Sequence, residues 1–429
     1  LIDTEKESRT RFETACIVGI REGEEELGMV HEHLDELEKL LQTLGIAAVG
    51  RSVASIKKPS SVYYVGSGKA EEIARYAQEI EADCLVFDTP LSSSQQRNWE
   101  HLVKAPAIDR EEIILDIFAE RAATAEARLQ VELAQLHYYL PRLTRAWSHL
   151  SRQRGGTHGL RGQGESQIET DRRLVKRRIS QLEKELELVR KQRSTARKSR
   201  SRTGAVCAAL VGYTNVGKSS LLRALSGAGV LVEDKLFATL DPTTRKIQLP
   251  DKQELLLTDT VGFIRRLPHT LVEAFKSTLE EAVLADFLVL VLDLASPVLE
   301  EQYETTIRVL KELGADEKDL LIVFNKLDLF SSEERMIRMA RLRALFPDSI
   351  FCSTQTGENM DVLVQKLQLF SASRRAVRCA VLPPDRSDLA ALAHAHGNIL
   401  EETYAEDGTL RLRLSIEEKY IPRFEPYWV

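Results

Sequence analysis

The octapeptide Gly212-Tyr213-Thr214-Asn215-Val216-Gly217-Lys218-Ser219 limits what this chain can fold into more than any other stretch of it. It follows an apolar run, residues 205–211, and leads through Ser220 into a helix-compatible segment. Strand, glycine-bearing loop and helix, in that order, aim several backbone N–H groups and the positive end of a helix at one anion. Lys218 adds a point charge for β and γ phosphates, and Ser219 a hydroxyl for Mg²⁺. The motif therefore implies a nucleoside-triphosphate site. Further apolar runs at 255–257, 287–292 and 320–324 read as strands with both faces covered, as in a doubly wound parallel sheet.

Which nucleotide is decided further on. Asn325-Lys326-Leu327-Asp328 lies just past the run 320–324, at the carboxyl edge where such sheets bind ligands. A carboxylate at Asp328 accepts from the N1 and N2 hydrogens of guanine, and adenine has no matching donor pair. Asn325 would hold base and loop, Lys326 would lie over the ring, and Ser353-Thr354-Gln355 would bring a backbone N–H to the guanine oxygen. Asp259-Thr260-Val261-Gly262 supplies a carboxylate for Mg²⁺ through water and a Gly262 N–H for the γ-phosphate. In the loop Phe237-Ala238-Thr239-Leu240-Asp241, Thr239 is the threonine expected to close over the metal, with Thr243 and Thr244 as rivals. Lys218, Thr239 and Gly262 are thus the expected catalytic set. Both loops contact the phosphate that hydrolysis removes, which makes them a natural order–disorder switch. Phe263 stands where signalling GTPases carry a water-orienting glutamine, so unaided hydrolysis is expected to be slow and stimulated by a partner. Asn215 is a candidate ligand for K⁺, and Arg265 and Arg266 stand close by in sequence.

The rest of the chain has a different character. Across 429 residues the net charge is −6, but residues 142–202 hold 18 Lys and Arg against 6 Asp and Glu, leaving −18 for the remainder. One strongly basic segment in an acidic protein points to a polyanion, a solvated basic face being the alternative. Within and beside it, Leu129, Leu133, Leu136, Leu140, Leu143, Trp147 and Leu150 step by threes and fours, and Ile168, Val175, Ile179, Leu182, Leu186 and Val189 resume the spacing. Two such seams predict an antiparallel helical hairpin, kinked at Pro141. Its connection, 155–164, holds five glycines with His158 and Arg161, flanked by Arg152, Arg154, Arg172 and Arg173. We read this tip as a nucleic-acid probe, with residues 193–202 as a polar linker.

Residues 1–125 alternate strand-like stretches (15–19, 47–56, 62–65, 84–87) with helical ones (32–44, 69–80, 92–103), a first α/β domain with a parallel sheet. Gly66-Ser67-Gly68-Lys69 lacks full phosphate-loop spacing and reads better as a strand-to-helix turn. Strand signals at 377–382, 399–403 and 410–414, with a turn at Glu406-Asp407-Gly408, make a small α+β appendage. Four domains are expected: 1–125, 126–203, 204–373 and 374–429. Five scattered cysteines without a CxxC exclude zinc and disulfide frameworks and fit a reducing cytoplasm. The charged, polar first ten residues lead us to expect no signal peptide, and a start at Leu1 instead of Met leads us to expect a short N-terminal stretch before it.

Taken together, 155–173 (GGTHGLRGQGESQIETDRR), Tyr64-Val65-Gly66-Ser67-Gly68-Lys69, Phe237 to Asp241 with Pro242, and Asp259 to Phe263 closely resemble the HflX family of GTPases over nearly the whole chain. The resemblance implies Mg²⁺-dependent GTP hydrolysis and binding to the large (50S) ribosomal subunit. It also implies a hairpin tip that reaches ribosomal RNA, with some relatives separating ribosomal subunits. A monomer without stable membrane insertion is expected, with peripheral membrane association through the basic segment as a lesser option. Two rivals differ in kind: a GTP-regulated protein adaptor whose seams capture a partner helix, and an RNA-remodelling NTPase with a second nucleotide site around Lys69.

Overall fold

The computed structural model describes residues 12–24, 26–143, 163–200, 206–227, 236–251, 253–266, 281–372, 378–416 and 420–429. The hairpin tip, with Arg152, Arg154, His158 and Arg161, lies outside them. The chain divides into two compact units, each described by itself below. One holds Leu1–Leu186 with Asp234–Ala238 and Arg266–Phe275, and the other holds Glu187–Glu233, Thr239–Arg265 and Lys276–Val429.

In the first unit, β1 (Thr14–Glu22), β2 (Ala47–Ile56), β3 (Cys84–Phe87) and β4 (Ala107–Asp109) form an all-parallel sheet in the order β2-β1-β3-β4. Parallel strands need crossovers, and here they are α1 (Leu27–Thr43), α2 (Ser67–Glu79) and α3 (Ser93–Val103). Leu34, Leu37 and Leu41 of α1 are buried, as their spacing requires. Ser92 caps α3 with a full capping box through Gln95. Residues 62–65 are not the strand expected of them. They form a tight turn in which Tyr64 takes a left-handed φ of 68° and isolated bridges pair Ser60 with Tyr64 and Tyr63 with Val65.

Strand β4 and α4 (Arg110–Arg121) were not foreseen. Asp109 ends the strand and caps the helix, accepting from the Glu112 N–H, the Leu91 N–H and the Tyr138 hydroxyl. Next to it Arg110 is wholly buried between Asp88, at 2.8 Å, and Glu36. Arg110→Ala is expected to cost about 3–5 kcal/mol, because it strands a buried Asp88 carboxylate. Urea unfolding of the whole chain reads this out, and a loss below about 1 kcal/mol would show that Asp88 is compensated elsewhere.

Helix α5 (Ala125–Tyr139) ends where Pro141 enters a single 3₁₀ turn, Leu140–Arg142. Its buried face is Ala127, Gln130, Val131, Ala134 and Tyr138 rather than the seam positions Leu129, Leu133 and Leu136, which are only half-buried, and Trp147 and Leu150 lie outside the described residues. On α6 (Gln163–Arg200) the seam positions Ile179, Leu182 and Leu186 are buried, and Arg178 forks Glu132 of α5 at 2.7 and 2.8 Å. The expected linker does not begin at 193, since α6 continues to Arg200. Residues 190–200, without Gly or Pro and with Lys or Arg at six positions, are compatible with helix.

The second unit contains β5 (Val206–Val211), β6 (Thr243–Gln248), β7 (Glu254–Asp259), β8 (Phe287–Asp293), β9 (Leu320–Asn325) and β10 (Ile350–Phe351), in the order β10-β9-β8-β5-β7-β6. All pairs are parallel except β6–β7. The sheet is therefore mixed, with one antiparallel edge, instead of uniformly parallel. Helices α7 (Lys218–Ser226), α8 (Leu299–Glu312), α9 (Ser332–Leu345) and α10 (Met360–Ala372) connect or follow the strands. At the C-terminal end, β11 (Arg378–Leu382), β12 (Gly397–Tyr404) and β13 (Leu410–Ile416) make an antiparallel sheet, order β11-β13-β12, with α11 (Ser387–His396). Gly408, at φ 81°, supplies the turn expected between β12 and β13. Among the described residues no helix is long and apolar enough to cross a membrane.

Candidate functional site

The site is built on the carboxyl ends of β5, β7, β8 and β9. Gly212 leaves β5 at φ 141°, with the Val291 carbonyl where any side chain would begin, so only glycine fits. The loop then enters α7 at Gly217, whose φ is 97°. Lys218 is 6% exposed, and its Nζ folds back over the loop to donate to the carbonyl oxygens of Gly212 and Tyr213, at 3.1 and 2.8 Å. Burial pushes its pKa down to about 8, with Asp259 acting in the opposite sense. A phosphate beside this amine would favour its charged form.

Asp259, at the end of β7, lies beneath it. One carboxylate oxygen accepts from the Ser219 hydroxyl at 2.6 Å and the Thr239 hydroxyl at 2.9 Å, and the two hydroxyls are 2.8 Å apart. The other oxygen, Oδ1, is buried with no hydrogen-bond partner among the described residues. Burial raises the Asp259 pKa, opposed by Lys218 and the two hydroxyls. Hard oxygen donors from three chain segments, with one buried acceptor left over, fit a Mg²⁺ ion. Of the three candidate threonines, only Thr239 is brought to this cluster. Thr243 and Thr244 belong to the edge strand β6, where Thr244 meets Thr258 at 2.9 Å.

The Gly262 loop is pinned to the phosphate loop by backbone pairing. The Thr214 N–H donates to the Phe263 carbonyl at 2.7 Å, and the Phe263 N–H to the Gly212 carbonyl at 3.0 Å. A Cβ on Gly262 would stand 2.7 Å from the Thr214 Cα and 3.0 Å from the Lys218 amine. Phe263 is fully buried, so it anchors the loop instead of facing a reacting water. The Tyr213 hydroxyl accepts the Arg265 N–H at 2.5 Å, a tie no motif announces.

At the end of β9, Asn325 joins three loops. Its Nδ2 donates to the Val216 carbonyl at 2.9 Å, and its Oδ1 accepts the Thr354 N–H at 3.1 Å. Lys326 adopts φ 67° and pairs with Asp293 at 2.7 Å. Asp293 is a site residue the sequence reading missed; its only signal was its place at the end of an apolar run. Asp328 is held by the Ser353 hydroxyl at 2.5 Å, and that hydroxyl also accepts the Gln355 and Thr356 N–H groups. Asn215 is exposed at φ 59° on the rim of the phosphate loop. In the first domain, Lys69 pairs with Glu72 at 2.6 Å, while α2 opens at Ser67 behind Gly66.

A glycine-shaped phosphate loop, a carboxylate–hydroxyl cluster and the Asn325-Lys326-Leu327-Asp328 loop on one sheet are the features of a P-loop GTPase. Family models agree piece by piece: "GTP-binding GTPase N-terminal" matches residues 31–119, "GTP-binding GTPase Middle Region" 121–200, and "50S ribosome-binding GTPase" 207–326. The GTPase HflX of Akkermansia muciniphila is 49% identical, covering 94% of each chain. That of Escherichia coli is 44% identical, covering 89% of each. The chain belongs to the HflX family of GTPases and hydrolyses GTP. Among solved structures, a GTP-binding protein from the archaeon Sulfolobus solfataricus in complex with GDP is 25% identical, with a TM-score of 0.43 over 84% of this chain and 99% of that one.

Proposed function

We propose that this GTPase binds the large ribosomal subunit through its basic helical segment and that the ribosome accelerates its hydrolysis of GTP. The observation that carries the reading is on α6. Arg172, Arg173, Lys176, Arg177 and Lys184 line one shallow groove along the helix, and all five are exposed. The description "50S ribosome-binding GTPase" attached to the matching family model supports the same partner. Five cations along one side of a helix make a positive strip of the kind that neutralises a phosphate backbone.

In the hydrolysis step Lys218 would bind the β and γ phosphates, and the Gly262 N–H would sense the γ-phosphate. Ser219, Thr239 and, through water, Asp259 would hold Mg²⁺, which when bound neutralises charge developing on the phosphates. Ser219→Ala is expected to raise the Mg²⁺ requirement for GTP hydrolysis about tenfold or more, as loss of a hydrogen-bonding partner to a charged group does. A Mg²⁺ titration of phosphate release checks it, and an unchanged half-saturation point removes Ser219 from the ion. Buried Phe263 orients no water, and Arg265 sits 3.8 Å from Glu301. Hydrolysis by the isolated protein is therefore slow and gains from a group the ribosome supplies. Asn215 is the residue we assign to a K⁺ ion, and equal rates in K⁺ and Na⁺ would dismiss it.

The test is cosedimentation with isolated large subunits, using GTP analogue and GDP. Intact chain, Arg172→Ala/Arg173→Ala, and a chain lacking residues 155–164 are compared. The intact protein should pellet preferentially with the analogue, and both variants should stay in the supernatant. Affinity should fall with salt at a log–log slope of roughly −0.7 to −0.9 per phosphate contact. Retention of both variants, or weak salt dependence, would favour the adaptor reading instead.

A further inference from the structure

Asp293 closes β8 directly across from Asn325, the last residue of β9. Its two carboxylate oxygens have separate partners. Oδ2 pairs with the Lys326 Nζ at 2.7 Å, and Oδ1 accepts the Ala295 N–H at 2.9 Å. One oxygen therefore holds a side chain of the 325–328 loop, while the other shapes the turn that follows β8. Three further bonds secure that turn. The Ser296 N–H donates to the Asp293 carbonyl at 3.2 Å, the Leu294 N–H to the Asn325 carbonyl at 3.0 Å, and Arg338 of α9 to the Ser296 carbonyl at 2.8 Å. Leu294 itself is fully buried.

Lys326 takes a left-handed φ of 67°, which a residue with a Cβ rarely adopts and keeps only where its surroundings over-determine it. Its side chain is 29% exposed and that of Asp293 18%, so salt screens this pair less than one on the open surface. A free lysine is among the side chains with the most rotamer freedom to lose. Here the ammonium is fixed to a carboxylate that is itself fixed to its own turn. Protein groups alone make this tether, so it orders the lysine without help from a ligand. An untethered lysine would have to be ordered each time a base arrived, and that cost would lower the affinity.

We propose that Asp293 is a positioning residue for the nucleotide. It pins the Lys326 ammonium so that the lysine's methylene stem is laid out as a surface for one face of the base. The inference rests on the reading that residues 325–328 hold guanine. Because the base is common to substrate and product, the tether serves GTP and GDP alike. It lengthens the stay of both without choosing between them, which is uniform binding: its loss raises KM and not the barrier to bond cleavage.

The experiment uses the full chain and follows release of fluorescent GDP and of a fluorescent, non-hydrolysable GTP analogue, comparing Asp293→Asn, Lys326→Met and the double variant. In Asp293→Asn the amide oxygen goes on accepting the Ala295 N–H, so the turn survives, while the NH₂ faces the ammonium and two donors meet. Both nucleotides should leave about tenfold faster, as expected for a lost hydrogen bond to a charged group, with the ratio between them moving less than about twofold. In hydrolysis the loss should fall on KM. Lys326→Met keeps an unbranched stem and removes the group that Asp293 holds, so it reads the same tether from its other end should Asp293→Asn unfold. Its release rates should rise alike, and adding Asp293→Asn to it should change nothing more. Release at the parent's rate in either single variant, or a further loss in the double variant, overturns the tether. Asp328→Asn separates the two levels. If it loses GDP while Asp293→Asn does not, the tether alone is wrong; if it keeps GDP, the guanine reading fails and the tether with it.

Discussion

Lys218→Ala is expected to weaken GTP and GDP binding by about a hundredfold or more and to end measurable turnover. Truncating one partner of a buried, hydrogen-bonded charge pair typically costs about 2–5 kcal/mol, which spans roughly thirtyfold to several thousandfold in affinity. Lys218 meets those conditions. It is nearly inaccessible, its amine is held by the Gly212 and Tyr213 carbonyls, and burial already draws its pKa down to about 8. Such an amine is a charge held in readiness, and phosphate oxygens are the partner that makes it comfortable. Fluorescent GDP titration and phosphate release read the two effects. Lys69→Ala is the control, since Lys69 meets Glu72 at the surface and should leave both unchanged. An affinity for the Lys218 variant within about threefold of the parent would move the triphosphate site elsewhere. Surviving ATP hydrolysis sensitive to Lys69→Ala would establish the second-site reading of the first domain.

The contrast between these two lysines shows what the sequence made legible. The phosphate loop was readable because its chemistry is local: eight consecutive residues, a strand before and a helix after. The loop expected to read the base stood out as a motif because Asn325 and Asp328 lie three apart at and just past the end of β9. What escaped was built across the chain. The Tyr213–Arg265 tie joins residues 52 apart and follows no pattern. Strand β4 is three residues long, too short for any period, and the run Ile113-Ile114-Leu115 on α4 is buried all round, so no amphipathic stripe betrays the helix. β6 carries Thr-Thr-Arg-Lys on an edge, which reads as loop until its partner is known. The turn at 62–65 misled for the opposite reason. Val62, Tyr63, Tyr64 and Val65 have strand chemistry, yet Tyr64 is bent into a left-handed conformation that composition cannot reveal.

Asp328→Asn is expected to exchange the base the protein prefers, lowering GDP affinity by about 10³-fold and raising that for xanthosine diphosphate by a comparable factor, in line with sites that reject ligands lacking a required hydrogen bond. The direction follows from Ser353. Its hydroxyl, fixed by accepting the Gln355 and Thr356 N–H groups, donates to one oxygen of Asp328. In the variant the amide oxygen takes that donated hydrogen, since the NH₂ has no acceptor to offer. The NH₂ is thereby turned toward the base. Guanine presents its own N2 hydrogens there and two donors face each other, whereas xanthine presents a carbonyl oxygen that accepts. Asn325 and Lys326 are untouched, because their partners are Val216, Thr354 and Asp293. Competition titrations with the two diphosphates measure the exchange, and Asp328→Asn/Ser353→Ala tests its cause. Without the Ser353 hydroxyl the amide is free to flip, so the double variant should recover part of its GDP affinity and lose part of its xanthine preference. A single variant that loses GDP without gaining xanthosine diphosphate would mean that Asp328 supports the loop rather than reads the base.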